Sequence, residues 1–271
     1  MKIWSDLKLK EVKFEKDLAE GVHYAEKSYV NDLGKNVDLY VITVSADAKA
    51  RMGAWAAPWC TTKHIVDQCR EMKAAGKEVL FACNAGYFHL AAGTLDPYGI
   101  QIIDGKVNQE PSKEDLVHSD NWFGCTYDGQ EVIGNTDDYF ETYKGKLRDA
   151  VGGGWIVLKD GKHTNYHDHG VDPYPVAGIA PDGSFAIICS DGRSAKSAGT
   201  SCYDMALLLL ELDMGITDAM IFDGGGSVAV YIKDGEDFAL RNIPSGPPKE
   251  PEKWGELRPV ADIMAIVIDK E

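Results

Sequence analysis

The segment of this chain best equipped for chemistry is Asp223-Gly-Gly-Gly-Ser227. It sets a carboxylate beside three glycines (Gly224, Gly225 and Gly226), a run that lets backbone approach a ligand closely and point N–H groups at an anion. A Walker-type phosphate loop is excluded, because no Gly-Lys-Ser/Thr follows and Val228 to Lys233 reads as a strand. A nucleophile elbow is excluded as well, since Gly-x-Ser-x-Gly is absent. Taken alone, the motif fits a strained turn with a structural Asp as well as it fits a functional site.

Other segments carry weaker signals. Ser190-Asp191-Gly192-Arg193 follows the strand-like run Phe185 to Cys189. Its Asp can serve as acid, base or nucleophile, and its Arg can hold a phosphate or carboxylate through paired hydrogen bonds. A plain hairpin turn explains it better when it is taken alone. Asn84-Ala-Gly-Tyr87-Phe88 pairs an amide with aromatics, a combination that suits a sugar with one apolar face and many hydroxyls. Gly152-Gly-Gly154 is a second glycine triple that can shape a cleft wall or form a simple turn. His163, His167 and His169, with Asp168, have donor types for a transition metal, but their hydrophilic surroundings read as an exposed loop. No metal or other cofactor is expected.

The elements that must position these residues are mostly strands. Asp-Gly pairs at 104–105, 128–129, 160–161, 182–183, 191–192, 223–224 and 234–235 favour tight hairpin turns, several of them beside apolar runs. Two helices are expected, from Thr62 to Ala75 and from Cys202 to Met214, with Ser201 capping the second. Each is followed by a strand that ends in a polar residue and glycines, at Asn84 and at Asp223. Such strand ends are ligand sites in α/β folds, so the two residues should line one cleft. The expected class is α+β (mixed α/β): a strand-rich single domain over residues 21–271 with a mixed sheet, many hairpins and a few packed helices. Residues 1–20 read as an N-terminal extension.

Bulk properties narrow the partners. The formal net charge is -15, which opposes binding to nucleic acid and to anionic membrane surfaces. No apolar run reaches the ~20 residues that a membrane span needs. None of the six cysteines forms a CxxC pair, so a structural zinc site is not expected. Cys83, Cys125 and Cys189 read as buried thiols, and Cys60 and Cys69 are placed where a bridge across a helix start is conceivable. The first residues show no signal-peptide core, so a cytoplasmic protein and one whose signal has been removed are both open.

In combination and order, these motifs resemble the phosphodiester glycosidase family of uncovering-enzyme-like domains, in its bacterial type. The resemblance runs from about Gly21-Val-His-Tyr24 to Ile268. It rests on Asn84-Ala-Gly-Tyr-Phe88, Gly99 to Lys106, Gly152 to Gly161, Asp191-Gly-Arg193 with the helix after it, Asp223 to Ser227, and Arg258-Pro-Val-Ala261. The chain departs from the family pattern at Tyr174, where an arginine is usual, at Ala85 and at Ile221. The resemblance implies a hydrolase that cleaves a sugar-1-phosphodiester, secreted or periplasmic, acting on carbohydrate through a carboxylate pair at a glycine-rich cleft. It implies Asp223 and Asp191 as that pair. Substrate contacts would come from Asn84, Tyr87, Arg193, Gly224, Gly225, Gly226, Ser227 and Arg258. Two other readings stay open: a glycoside hydrolase or lyase acting on a non-phosphorylated glycan, with which Tyr174 is consistent, and a non-catalytic glycan-binding protein.

Overall fold

The computed structural model describes residues 7–89, 95–115, 117–164, 170–246 and 255–270. Its strands form three sheets. The largest has eight strands, in the order Lys8–Ala19, Val22–Val30, Asn36–Val44, Phe185–Ser190, Pro175–Ile179, Asp218–Ile221, Ile156–Lys159, Lys162–His163. A second orders Asp237–Leu240, Val230–Asp234, Lys77–Asn84, Asp262–Asp269 and Arg51–Ala56. The third orders Lys106–Gln109, Gln101–Ile103, Leu147–Gly152, Trp122–Thr126 and Glu131–Gly134.

Strand periodicity explains how the layers stack. In Asn36–Val44, Tyr40, Ile42 and Val44 enter the central core, while Val37, Leu39 and Val41 pack on the opposite face with Met205, Leu208 and Leu209 of the helix Cys202–Leu210. A strand covered on both faces reads as a continuous apolar run. The second sheet behaves likewise. Met264 and Ile266 meet the central core, and Ile263, Ala265 and Val267 pack on Ile65, Cys69 and Met72 of the helix Ile65–Ala74. The result is two helices outside two sheets, with one apolar core between the sheets. Phe123, Cys125 and Val151 of the third sheet close that core at its side.

The α+β, strand-rich class expected from the sequence is what the structure shows. Within it, every strand pairing among the described residues is antiparallel, so the sheets are not mixed. Hairpins account for this, because they join neighbours in opposite directions. Five Asp-Gly pairs sit in such turns; Asp104 and Gly105, at φ 46 and 77, join Ile103 to Lys106. The pairs at 191–192 and 223–224 turn no hairpin. Residues 8–19, within the expected extension, form the edge strand of the large sheet. Both helices are shorter than expected, and Ser201 does cap the second through a reciprocal pair with Asp204. All six cysteines are free, and Cys60 is exposed while Cys69 is buried, so no bridge joins them.

A buried ion pair ties the second sheet to the third. Arg51 donates from Nη1 to Asp149 Oδ2 at 2.6 Å and from Nε to Asp269 Oδ2 at 2.9 Å. The Asp149 side chain is 0% exposed, so removing it takes from the buried Arg51 guanidinium its inner carboxylate and leaves only the partly exposed Asp269. Asp149→Ala is therefore expected to lower unfolding stability by ~3 kcal/mol in a urea titration. Removing Asp237, which pairs with exposed Arg70, should leave the midpoint unchanged. A small effect at Asp149 would mean that packing alone holds the junction. The hydrogen bonds from Arg51 hold Asp269 at about 2, below its ordinary value. Its share of stability is thus present at neutral pH and lost as pH falls toward about 2.

Candidate active site

The strands Lys77–Asn84 and Asp218–Ile221 belong to different sheets, yet their ends meet. Asp223 N–H donates to the Ala85 carbonyl at 3.0 Å, and Asn84 Nδ2 donates to the Asp223 carbonyl at 2.5 Å. The shared position expected for Asn84 and Asp223 is therefore a direct bond. Asn84 is buried, and its Oδ1 has no hydrogen-bond partner. A buried acceptor left empty costs about 1–3 kcal/mol, so this atom is suited to a donor brought by a ligand. Tyr87 donates to the Phe222 carbonyl at 3.3 Å and lies over Gly154, fixing one wall.

The three glycines serve close packing. A Cβ at Gly224 would stand 2.6 Å from Pro173 O and 2.8 Å from the Tyr174 ring. One at Gly225 would stand 2.6 Å from an Arg193 nitrogen, and one at Gly226 would stand 2.8 Å from an Arg258 nitrogen. Two guanidinium groups thus lie against bare backbone, a placement any side chain would block. The two arginines differ in freedom. Arg193 is held by both oxygens of Asp172, whereas Arg258 donates to Ser227 Oγ at 3.2 Å and has no ion pair among the described residues. Gly225 N–H is taken by Pro173 O at 2.9 Å.

Asp223 lies deep among protein atoms but stays half-accessible. Burial raises its pKa to about 6, against the Ser227 hydrogen bond and the charges of Arg258 and His118; Asp262 adds to the rise. Asp262 is also pushed up to about 6 by burial, while Gln101 Nε2 at 2.9 Å and Gly86 N–H at 2.8 Å favour its charged form. Asp191 lies elsewhere in the packing. Its carboxylate accepts from Tyr40 OH at 2.8 Å, Asn242 Nδ2 at 2.9 Å and Ile243 N–H at 3.1 Å, and burial raises it to about 6. Asn242 also holds Val228 O and Val230 N–H, so Asp191 anchors the chain leaving the glycine turn. Asp191 and Asp223 share no hydrogen bond, and Asp262 is the carboxylate whose charge bears on Asp223.

Sequence reasoning missed Asp262, one residue past the Arg258-Pro-Val-Ala261 motif. Its signal was available: a carboxylate opening an otherwise apolar strand, Asp262–Asp269. It also missed His118 and Trp155, for which the sequence holds no pattern. The His118 ring stands 4.5 Å from Tyr87, 5.5 Å from Tyr98 and 6.3 Å from Trp155, centre to centre. His163 packs on Tyr203 at 4.3 Å, and His167, Asp168 and His169 lie outside the described residues. Among the described residues, no cluster of His, Cys, Asp or Glu has a metal-binding arrangement.

The model of the phosphodiester glycosidase family matches residues 77–267, and the chain belongs to that family of glycosidase-type hydrolases. Among solved structures, it is similar to the catalytic domain of zebrafish N-acetylglucosamine-1-phosphodiester alpha-N-acetylglucosaminidase, auto-inhibited by its pro-peptide. The TM-score is 0.68 at 18% identity, over 92% of this chain and 83% of that one. A hypothetical protein from Synechocystis gives a TM-score of 0.65 at 12% identity, over 97% of this chain and 68% of that one. At these identities the likeness is one of fold. The SPbeta prophage-derived uncharacterized protein YomE of Bacillus subtilis (strain 168) is 33% identical over 160 residues, 55% of this chain. The match spans only 23% of that relative's length.

The electrostatics of the recess can be read by NMR titration of the carboxyl carbons. In the native protein Asp223 should titrate near about 6. Arg258→Gln removes a charge that favours the carboxylate, so the Asp223 midpoint should rise further. An unchanged midpoint would show that Arg258 does not face Asp223 in solution.

Proposed function

We propose that this protein hydrolyses the C1–O bond of a sugar 1-phosphodiester, with Asp223 taking the proton from the attacking water. The observation that carries this reading is Asp223 itself: partly exposed, and raised to about 6 by burial and by Asp262, with Ser227, Arg258 and His118 acting against the rise. A base with a pKa near working pH combines correct protonation with a useful driving force. As the C1–O bond breaks, positive charge spreads over C1 and the ring oxygen. Ionised Asp262, behind the Asn84–Gly86 turn, favours that charge. Arg258, steadied by Ser227, is suited to the phosphoryl oxygens, and Asn84 Oδ1 to a sugar hydroxyl. Tyr87 offers a ring face. Asp191 supports the glycine turn through Asn242. Arg193, bound to Asp172, holds the turn at Gly225.

A non-phosphorylated glycan is the second reading, favoured by one observation. The Tyr174 ring covers Gly224 at the position where an arginine is usual.

Sugar release from a panel of sugar-1-phosphodiesters and matched simple glycosides separates the two. Release from phosphodiesters is expected, with Asp223→Asn slowing turnover by roughly 10²–10⁴-fold. The base must be ionised, so activity should climb as pH rises through about 6. Release from simple glycosides alone would install the second reading. Full turnover by Asp223→Asn would remove the role given to that residue.

A further inference from the structure

His118 sits among residues 112–115 and 117–119, which are stiffened by hydrogen bonds to one another. The single Ser119 hydroxyl proton is shared between Ser112 O at 2.9 Å and Asp115 O at 2.8 Å, and Asp115 Oδ1 accepts from the N–H groups of Val117 at 2.9 Å and His118 at 3.2 Å. The other oxygen of Asp115 meets His118 Nδ1 at 2.8 Å. A carboxylate on one ring nitrogen sets the tautomer and aims the other nitrogen outward. Among the described residues no group bonds Nε2, and the side chain is 33% exposed. The ring is held by Tyr87 and by Tyr98, whose hydroxyl lies 2.9 Å from His89 Nδ1. This is the construction of a working imidazole, and it stands against Tyr87, whose hydroxyl bonds the carbonyl of Phe222, the residue before Asp223.

Resting on the proposed hydrolysis, we infer that His118, oriented by Asp115, receives the phosphoryl leaving group by donating from Nε2 to a phosphate oxygen. Water gives its proton to Asp223 and its hydroxyl to C1. The electron pair of the C1–O bond passes to the phosphate oxygen. The diester carries one negative charge, and the departing monoester carries two. A cationic donor that meets the second charge favours the transition state over the bound substrate. His118 and Arg258 then flank the phosphate as two cations, in a fold whose Tyr174 replaces the arginine usual in the family.

The groups facing the imidazole are Asp115 on its own loop, Asp223 on the glycine turn, Tyr87, His89 and Tyr98 after the strand Lys77–Asn84, and Trp155. Both roles are read by the binding of methyl phosphate, a minimal leaving group, followed by calorimetry. Native protein should bind it. His118→Gln should weaken binding by ~10-fold or more. Asp115→Asn should weaken binding by a smaller factor and shrink the shift of the His118 Nε2 resonance on binding, which a merely structural role would not do. In the native protein the His118 Nε2 resonance should shift when methyl phosphate is added. His118→Gln binding within twofold of native, no binding by native protein, or an unmoved resonance would each overturn the inference. Failure of the native protein on every phosphodiester would remove the proposed reaction but would not change these binding outcomes.

Discussion

The bond between Asp223 N–H and the Ala85 carbonyl joins two sheets at their strand ends, and the candidate site is gathered around it. Each sheet carries half of the site. Asp223 and the glycine turn leave the eight-stranded sheet, while Asn84, Gly86 and Asp262 belong to the second sheet or its connections. Asn84 completes the seam by giving one amide proton to the Asp223 carbonyl. The amide oxygen on the same side chain is then left buried and empty, so one residue both fastens the sheets and presents an acceptor.

Around this seam, backbone bareness and charge work together. The three glycines bring Tyr174, Arg193 and Arg258 into contact with main chain. Arg193 is neutralised by Asp172, which leaves Arg258 as the cation that bears on Asp223 from this side. Burial lifts Asp223 and Asp262 into the range near about 6, while Arg258 and His118 act against the rise at Asp223. The site therefore holds two carboxylates poised near neutrality beside the guanidinium of Arg258 and the imidazole of His118. That balance suits a reaction in which positive charge grows on a sugar and negative charge grows on its leaving group.

Packing explains why the site stays in place. The strands that feed it are covered on both faces, by the central core and by a helix. The Arg51–Asp149 pair ties the third sheet to the second. Asp191, satisfied by three donors, steadies the chain as it leaves the glycine turn.

Local patterns determined much of this in advance. Asp-Gly pairs, apolar runs and the Ser201 cap announced a strand-rich fold with few helices, because turns, periodicity and caps are properties of neighbouring residues. The strand-end pattern set Asn84 and Asp223 in corresponding positions, and the structure joins them by a hydrogen bond. What the sequence could not decide is which distant residues meet. Asp191 and Asp262 each stand in or beside a recognised motif, and only the folded chain shows that Asp262 bears on Asp223 while Asp191 is tied to Tyr40 and Asn242. His118 is one histidine in an irregular loop; its bond to Asp115 and its place beside Tyr87 exist only once the loop packs on the strand ends. Propensity acts over a few residues, whereas burial, charge proximity and unpaired polar atoms are set by contacts between segments far apart in the chain.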